Sequence, residues 1–198
     1  MSLFELHRTD QPTPEAERAA IVADPVFGKF YADHMAVADY TEGLGWHDAR
    51  IIPTGQWQLH PAAAVFHYGQ EIFEGLKAYR HADSSVWLFR PEKNARRFIS
   101  SAERLEMAPL PEDLFLAALD ELVALEQAWV PQPDGERSLY LRPFEIADEP
   151  YLGVREAKNY RYGLLASPVG AYYLAPVKLW VTPNYTRAAP GGTGTAKC

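Results

Sequence analysis

Apolar residues recur along this chain with two periods, and the switches between them mark its elements. From Pro91 onward, Ala95, Phe98, Ile99, Ala102 and Leu105 fall on one face of a helix. Pro91 suits the first helical position, where a missing N–H is no loss. Pro111 opens a second helix, with Phe115, Leu119, Leu122 and Trp129 at i, i+4, i+7 and i+14. Thr13-Pro14-Glu15 has the form of a shorter helix start, with a cap hydroxyl, a proline and an acid in the first turn, and Pro25 closes that helix. From Pro61 to about Glu74 the residues Ala64, Val65, Tyr68, Ile72 and Phe73 come close to helical spacing as well. Strand patterns occupy His34 to Pro53, cut by Gly43 and Gly45, then Leu76–Arg80 and Val86–Arg90 around Asp83, Ser84 and Ser85. Three more follow at Leu139–Ala147, Tyr160–Ser167 and Val177–Thr182. Strands, then helices, then strands, with no βαβ alternation, predict an α+β fold with a largely antiparallel sheet rather than a doubly wound one.

Composition narrows the chemistry. With 47% hydrophobic and 23% charged residues the chain is globular, neither disordered nor collagen-like nor a coiled coil. Its net charge of −7 lacks the footprint of a general nucleic-acid binder, so no nucleic-acid partner is expected. Cys198 is the only cysteine, which excludes an internal disulfide, a CxxC pair and a thiolate zinc site; no metal is expected. The first ten residues include His7, Arg8 and Asp10 and lack the apolar core of a signal peptide. No apolar run approaches the ~18 residues that span a bilayer. The chain is expected to be soluble and cytoplasmic, without a membrane partner.

The glycine-rich stretch Pro190-Gly191-Gly192-Thr193-Gly194-Thr195-Ala196-Lys197 carries the first candidate chemistry. Composition alone leaves a surface turn with a solvated lysine open. A phosphate-binding loop of the form GxxxxGK[ST] has the right span, but Ala196 replaces the second glycine and Cys198 the hydroxyl residue. A third possibility is a lysine that forms a Schiff base with pyridoxal phosphate. An ordinary lysine with a pKa of ~10.4 is almost wholly protonated at pH 7, so that chemistry needs surroundings that favour the neutral amine.

Beyond these patterns, the chain resembles the branched-chain amino acid aminotransferases, pyridoxal-phosphate enzymes of fold type IV, and is closest to the bacterial ones. The resemblance is carried by Phe27 to Met35, Phe73-Glu-Gly-Leu-Lys-Ala-Tyr79, Phe89-Arg-Pro91 with Asn94 and Arg97, and Leu139-Tyr-Leu-Arg-Pro143. Glu149-Pro150, Leu152-Gly-Val154, Pro168 to Tyr172 and Gly191-Gly-Thr-Gly194 with Lys197 complete it. It implies that Lys197 bonds to the cofactor, pyridoxal 5′-phosphate, and that Arg97 holds the phosphate. Helical periodicity does not choose between Arg96 and Arg97; the motif does. The resemblance further implies a substrate wall of Tyr31, Phe73, Tyr140 and Tyr172, with Arg142 receiving a distal carboxylate. Tyr140 and Arg142 stand two apart in a strand and so share a face. Tyr68, Leu152 and Val154 match positions that enter the pocket from a neighbouring subunit, which implies a homodimer. The partners are then small-molecule amino acids and 2-oxo acids, and the reaction is reversible amino transfer between leucine, isoleucine or valine and 2-oxoglutarate.

Two departures accompany the match. The segment after Tyr172 is shorter than in the family by roughly three residues, Tyr173 running directly into Leu174-Ala-Pro176. The family's catalytic domain also continues well past the lysine. Residues 1–172 are therefore expected to form the smaller α+β domain, 173–182 the connector and a first strand, and 183–198 the start of the large cofactor-binding domain. Such a fragment is expected to be inactive alone. The competing functions are D-amino acid aminotransferase or aminodeoxychorismate lyase on the same fold, and a truncated non-catalytic binding domain.

Overall fold

The fold, taken from a computed structural model, is described for residues 2–173 and 175–198. Met1 and Leu174, the latter part of the shortened connector expected above, lie outside the described residues. In chain order the elements are β1 (Glu5–Leu6), α1 (Glu15–Ala23), β2 (His34–Thr41), β3 (Gly45–Pro53), α2 (Ala64–Tyr68), β4 (Glu71–Phe73), β5 (Leu76–Arg80) and β6 (Val86–Leu88). They continue with α3 (Pro91–Arg104), α4 (Glu112–Leu125), a 3-10 turn at Gln127–Trp129, β7 (Ser138–Ala147) and β8 (Asn159–Val169). The strands form one eight-stranded sheet in the order β1-β3-β2-β8-β7-β5-β6, with β4 added to β7. Every pairing is antiparallel except that of β1 with β3. The α+β fold with a mainly antiparallel sheet is the one expected from the order of elements.

The long β7–β8 pair organises the rest. Its register runs from Ser138↔Val169 to Ala147↔Tyr160, so alternate residues of both strands face the same way. Leu139, Leu141, Tyr162, Leu164 and Ala166 point to one side and are buried there with Phe98 of α3 and Phe115, Leu119 and Leu122 of α4. Phe98 meets the Tyr162 ring edge-on at 5.9 Å, an orientation that ring quadrupoles favour. Tyr140, Arg142 and Phe144 of β7, with Leu165 and Ser167 of β8, point to the other side, away from the two helices.

Four local expectations change. The stretch from Pro61 to Glu74 is not one helix. Gly69, in the left-handed region at φ 58°, ends α2, and Ile72 and Phe73 alternate buried and half-buried in β4, paired with β7. Thr13 does not cap α1; its N–H and hydroxyl both donate to the Asp33 carboxylate, and Pro14 takes the cap position. Trp129 is buried in the 3-10 turn rather than in α4. The strand expected at Val177–Thr182 does not form: no described residue after Val169 belongs to a strand or helix, and Leu179, Trp180 and Val181 are exposed. A strand needs a neighbour for its backbone groups, and this segment pairs with no described residue.

Candidate active site

On the open face of the sheet, the period-2 spacing of Tyr140 and Arg142 brings them together as expected. Arg142 donates to the Tyr140 phenol oxygen from Nε at 3.1 Å and Nη2 at 2.9 Å. The guanidinium carbon lies 4.8 Å from the centre of the Phe73 ring, supplied by β4 across Phe144. Arg142 is half-buried, yet among the described residues it pairs with no carboxylate. Phe27 packs on Tyr140 at 5.4 Å and on Tyr172 at 5.2 Å. A cavity of about 130 Å³ opens between Phe27, Tyr31, Tyr140, Arg142, Leu165 and Ser167. Tyr31, Phe73, Tyr140, Arg142 and Tyr172 thus converge on one place. Gly75 makes this packing possible, since a Cβ there would sit 2.4 Å from the Tyr140 hydroxyl.

The lysine loop docks beside this cavity by its backbone. The Phe73 N–H donates to the Lys197 carbonyl at 3.0 Å, and the Lys197 N–H donates to the Ser101 hydroxyl at 3.0 Å. That hydroxyl donates in turn to the Arg97 carbonyl at 2.7 Å. Arg104, on the last turn of α3, donates to the carbonyls of Gly191 and Gly192. Gly194 passes so near the chain that a Cβ would lie 2.4 Å from that of Ala188. The result places the Lys197 amine 4.3 Å from the Phe73 ring centre, within cation–π range. Among the described residues the amine has neither a hydrogen bond nor a salt bridge.

Arg96 and Arg97, which periodicity left equivalent, differ in the fold. Arg96 reaches Glu112 with a single contact at 3.4 Å. Arg97 grips Glu74 with two, Nε to Oε1 at 2.5 Å and Nη2 to Oε2 at 2.9 Å. Burial works to raise the Glu74 pKa, but hydrogen bonds from Arg97, Asn94 and the Gly75 amide outweigh it and hold the carboxyl below its usual range. The Arg97 guanidinium, half exposed, faces a cationic groove shared with Phe89, Arg90, Lys93 and Asn94.

Tyr68, Leu152 and Val154 do not line the cavity. They are exposed, and the Tyr68 hydroxyl donates to the Leu152 carbonyl, tying the end of α2 to the β7–β8 connection. Phe27 and Glu74 stand in segments that carry the resemblance but have no role assigned from the sequence, and nothing in the sequence reading points to Ser101 or Arg104. Ser101 has one sign that could have found it, a hydroxyl on the otherwise apolar stripe of α3.

Among the described residues, no helix is long and apolar enough to cross a membrane. No family model matches the chain. It is 55% identical over 197 residues to a branched-chain-amino-acid aminotransferase of Mycolicibacterium smegmatis, a match covering 98% of this chain and 54% of that protein. It is 51% identical over 175 residues to branched-chain-amino-acid transaminase 1 of Bacillus subtilis, covering 86% of this chain and 49% of the relative. The fold is similar to that of a T.th. branched-chain amino acid aminotransferase solved with pyridoxamine 5′-phosphate. There the TM-score is 0.50 at 26% identity, over 71% of this chain and 42% of that one. The chain spans about half the length of the curated relatives it matches. With a fold type IV architecture and this identity over nearly all its residues, the chain belongs to the branched-chain amino acid aminotransferase family.

Proposed function

We propose that the intact protein transfers amino groups reversibly between leucine, isoleucine or valine and 2-oxoglutarate, using pyridoxal 5′-phosphate, as a homodimer in the cytoplasm. The observation that carries this reading is Arg142: a half-buried cation that among the described residues has no acidic partner, set among aromatic rings and close to the Lys197 amine. The residues present suit the cofactor. Lys197 offers an amine that no described residue engages by hydrogen bond or salt bridge, and Arg97 offers a guanidinium edge to a phosphate in a groove that also holds Arg90 and Lys93. Once bound, that cofactor acts as an electron sink for the substrate α-carbon.

In this reading each residue has one task. Lys197 holds the cofactor and then moves a proton between the substrate α-carbon and the cofactor C4′ carbon, as base and acid in turn. Tyr31, Phe73, Tyr140 and Tyr172 exclude water and receive a branched aliphatic side chain. Arg142, oriented by the Tyr140 hydroxyl, receives the distal carboxylate of glutamate or 2-oxoglutarate. Tyr68, Leu152 and Val154, outside this chain's own cavity, close the pocket of the neighbouring subunit. The stretch up to Tyr172 is the smaller domain, followed by a connector, and residues 183–198 begin the large domain.

The test is chemical labelling of the intact protein. It should be yellow with cofactor and convert leucine and 2-oxoglutarate to glutamate. Borohydride reduction followed by peptide mapping should place the cofactor on Lys197, and Lys197→Ala should abolish both colour and turnover. A label on another lysine, or activity confined to D-amino acids, would overturn the assignment.

A further inference from the structure

We propose that Glu74 is a positioning residue for Arg97, fixing the guanidinium so that its free edge is presented to the cofactor phosphate. The inference rests on the phosphate-holding reading of Arg97 given above. Glu74 lies between β4 and β5 and is fully buried, although its partner is half exposed. Its own N–H donates to the Pro143 carbonyl at 2.7 Å, which anchors the acid to the sheet. Both carboxylate oxygens are committed. Oε1 accepts from Arg97 Nε; Oε2 accepts from Arg97 Nη2, from Asn94 Nδ2 at 2.8 Å and from the Gly75 amide at 3.2 Å. Burying an acid is costly unless it is paired and fully hydrogen-bonded, and here that condition holds only with Arg97 in this orientation.

The consequence follows from the planarity of guanidinium. Of its five N–H groups, two go to Glu74, leaving both on Nη1 and the second on Nη2. Since the group is rigid, holding one edge against the sheet fixes the direction of the opposite edge. Arg97 also lines the groove of Phe89, Arg90, Lys93 and Asn94, where that free edge would meet a phosphate. Arg96, the next residue back on the same helix, lacks such a brace and makes one long contact with Glu112. An acid so near a phosphate also opposes its binding. Orientation and repulsion therefore act with opposite signs, and the proposal states that orientation wins.

The two effects separate when dissociation constants of pyridoxal 5′-phosphate and of pyridoxal, which lacks the phosphate, are measured in the intact protein. Glu74→Gln should weaken the phosphorylated ligand about tenfold, the scale of one well-placed charge-assisted contact, and leave pyridoxal unchanged. The loss should vanish when the same substitution is made in an Arg97→Ala background. Glu74→Asp keeps the charge but withdraws it by one methylene; it should show the same selective loss, and it decides the matter should the glutamine variant not fold. Unchanged or tighter binding of the phosphorylated ligand would overturn the proposal, as would equal loss for both ligands, the mark of a purely structural acid. Should Arg97→Ala leave the preference for the phosphorylated ligand undiminished, the reading of Arg97 fails and takes this proposal with it.

Discussion

Arg142 sits in a pocket of rings, its charge shared with the Tyr140 hydroxyl and the face of Phe73. For leucine such a pocket needs only to exclude water, and burying that side chain is worth about 2 kcal/mol. Glutamate must bring a carboxylate into the same surroundings, at a cost of several kcal/mol unless a charged partner meets it. Arg142→Met keeps the bulk and removes the charge. It should raise the KM for 2-oxoglutarate by about 10- to 100-fold and disturb the half-reaction with leucine far less, as single-turnover measurements of each half-reaction would reveal. Equal damage to both would make Arg142 structural, or a ligand of the α-carboxylate that all substrates share. Arg97→Ala should likewise reduce cofactor retention well beyond Arg96→Ala, measured by dialysis against free cofactor. At this scale the sequence is legible where a period fixes direction, as for Tyr140 and Arg142. Periodicity is silent where burial decides: Arg96 and Arg97 flank the apolar stripe of α3 alike, so that in the sequence only the motif picks Arg97, and in the fold the fully buried Glu74 separates the two.

Among the elements, β7 combines both jobs, with pocket residues on one face and core residues on the other. Glu145 breaks the pattern. It points into the core opposite Tyr162, and neither its carboxyl oxygens nor the Tyr162 hydroxyl finds a partner among the described residues. Burial pushes its pKa well above 4.5. The folded state then keeps a proton that the unfolded chain releases above about pH 4.5, so stability falls as pH rises from there through the folded-state value. Glu145→Met should therefore raise the melting temperature, with a gain of about 1–3 kcal/mol near pH 8 and a smaller one near pH 5. Equal gains at both pH values would show that this carboxyl does not titrate with folding. Strong periods found the elements well: α3, α4, β7 and β8 all stand within a few residues of their expected places. The failures share a cause, since Pro61–Glu74 and Val177–Thr182 depend on neighbours that a local pattern does not contain. Phe73 becomes a strand residue because β7 offers it an edge, and Val181, which pairs with no described residue, is exposed.

In the molecule as a whole, α3 and α4 seal one face of the β7–β8 region and the other face carries the cavity, while the lysine loop is held between α3 and β4. Tyr68 and Leu152 are joined to each other but stand apart from that cavity, and Val154 is 89% exposed. In the proposed homodimer each subunit would lend this edge to its partner's pocket. Complementation tests it. Lys197→Ala disables a subunit's own site but leaves its Tyr68–Leu152 edge intact; Leu152→Arg spoils the edge and leaves the lysine. Each variant alone should be nearly inactive. If the edge acts in trans, a mixed dimer has one complete site, with the lysine of one subunit beside the unaltered edge of the other. Co-folding the two in equal amounts puts half of the dimers in the mixed state with one working site each, so about a quarter of normal activity should return. If Leu152 serves its own subunit instead, every site in the mixture lacks either the lysine or the edge, and mixing restores nothing.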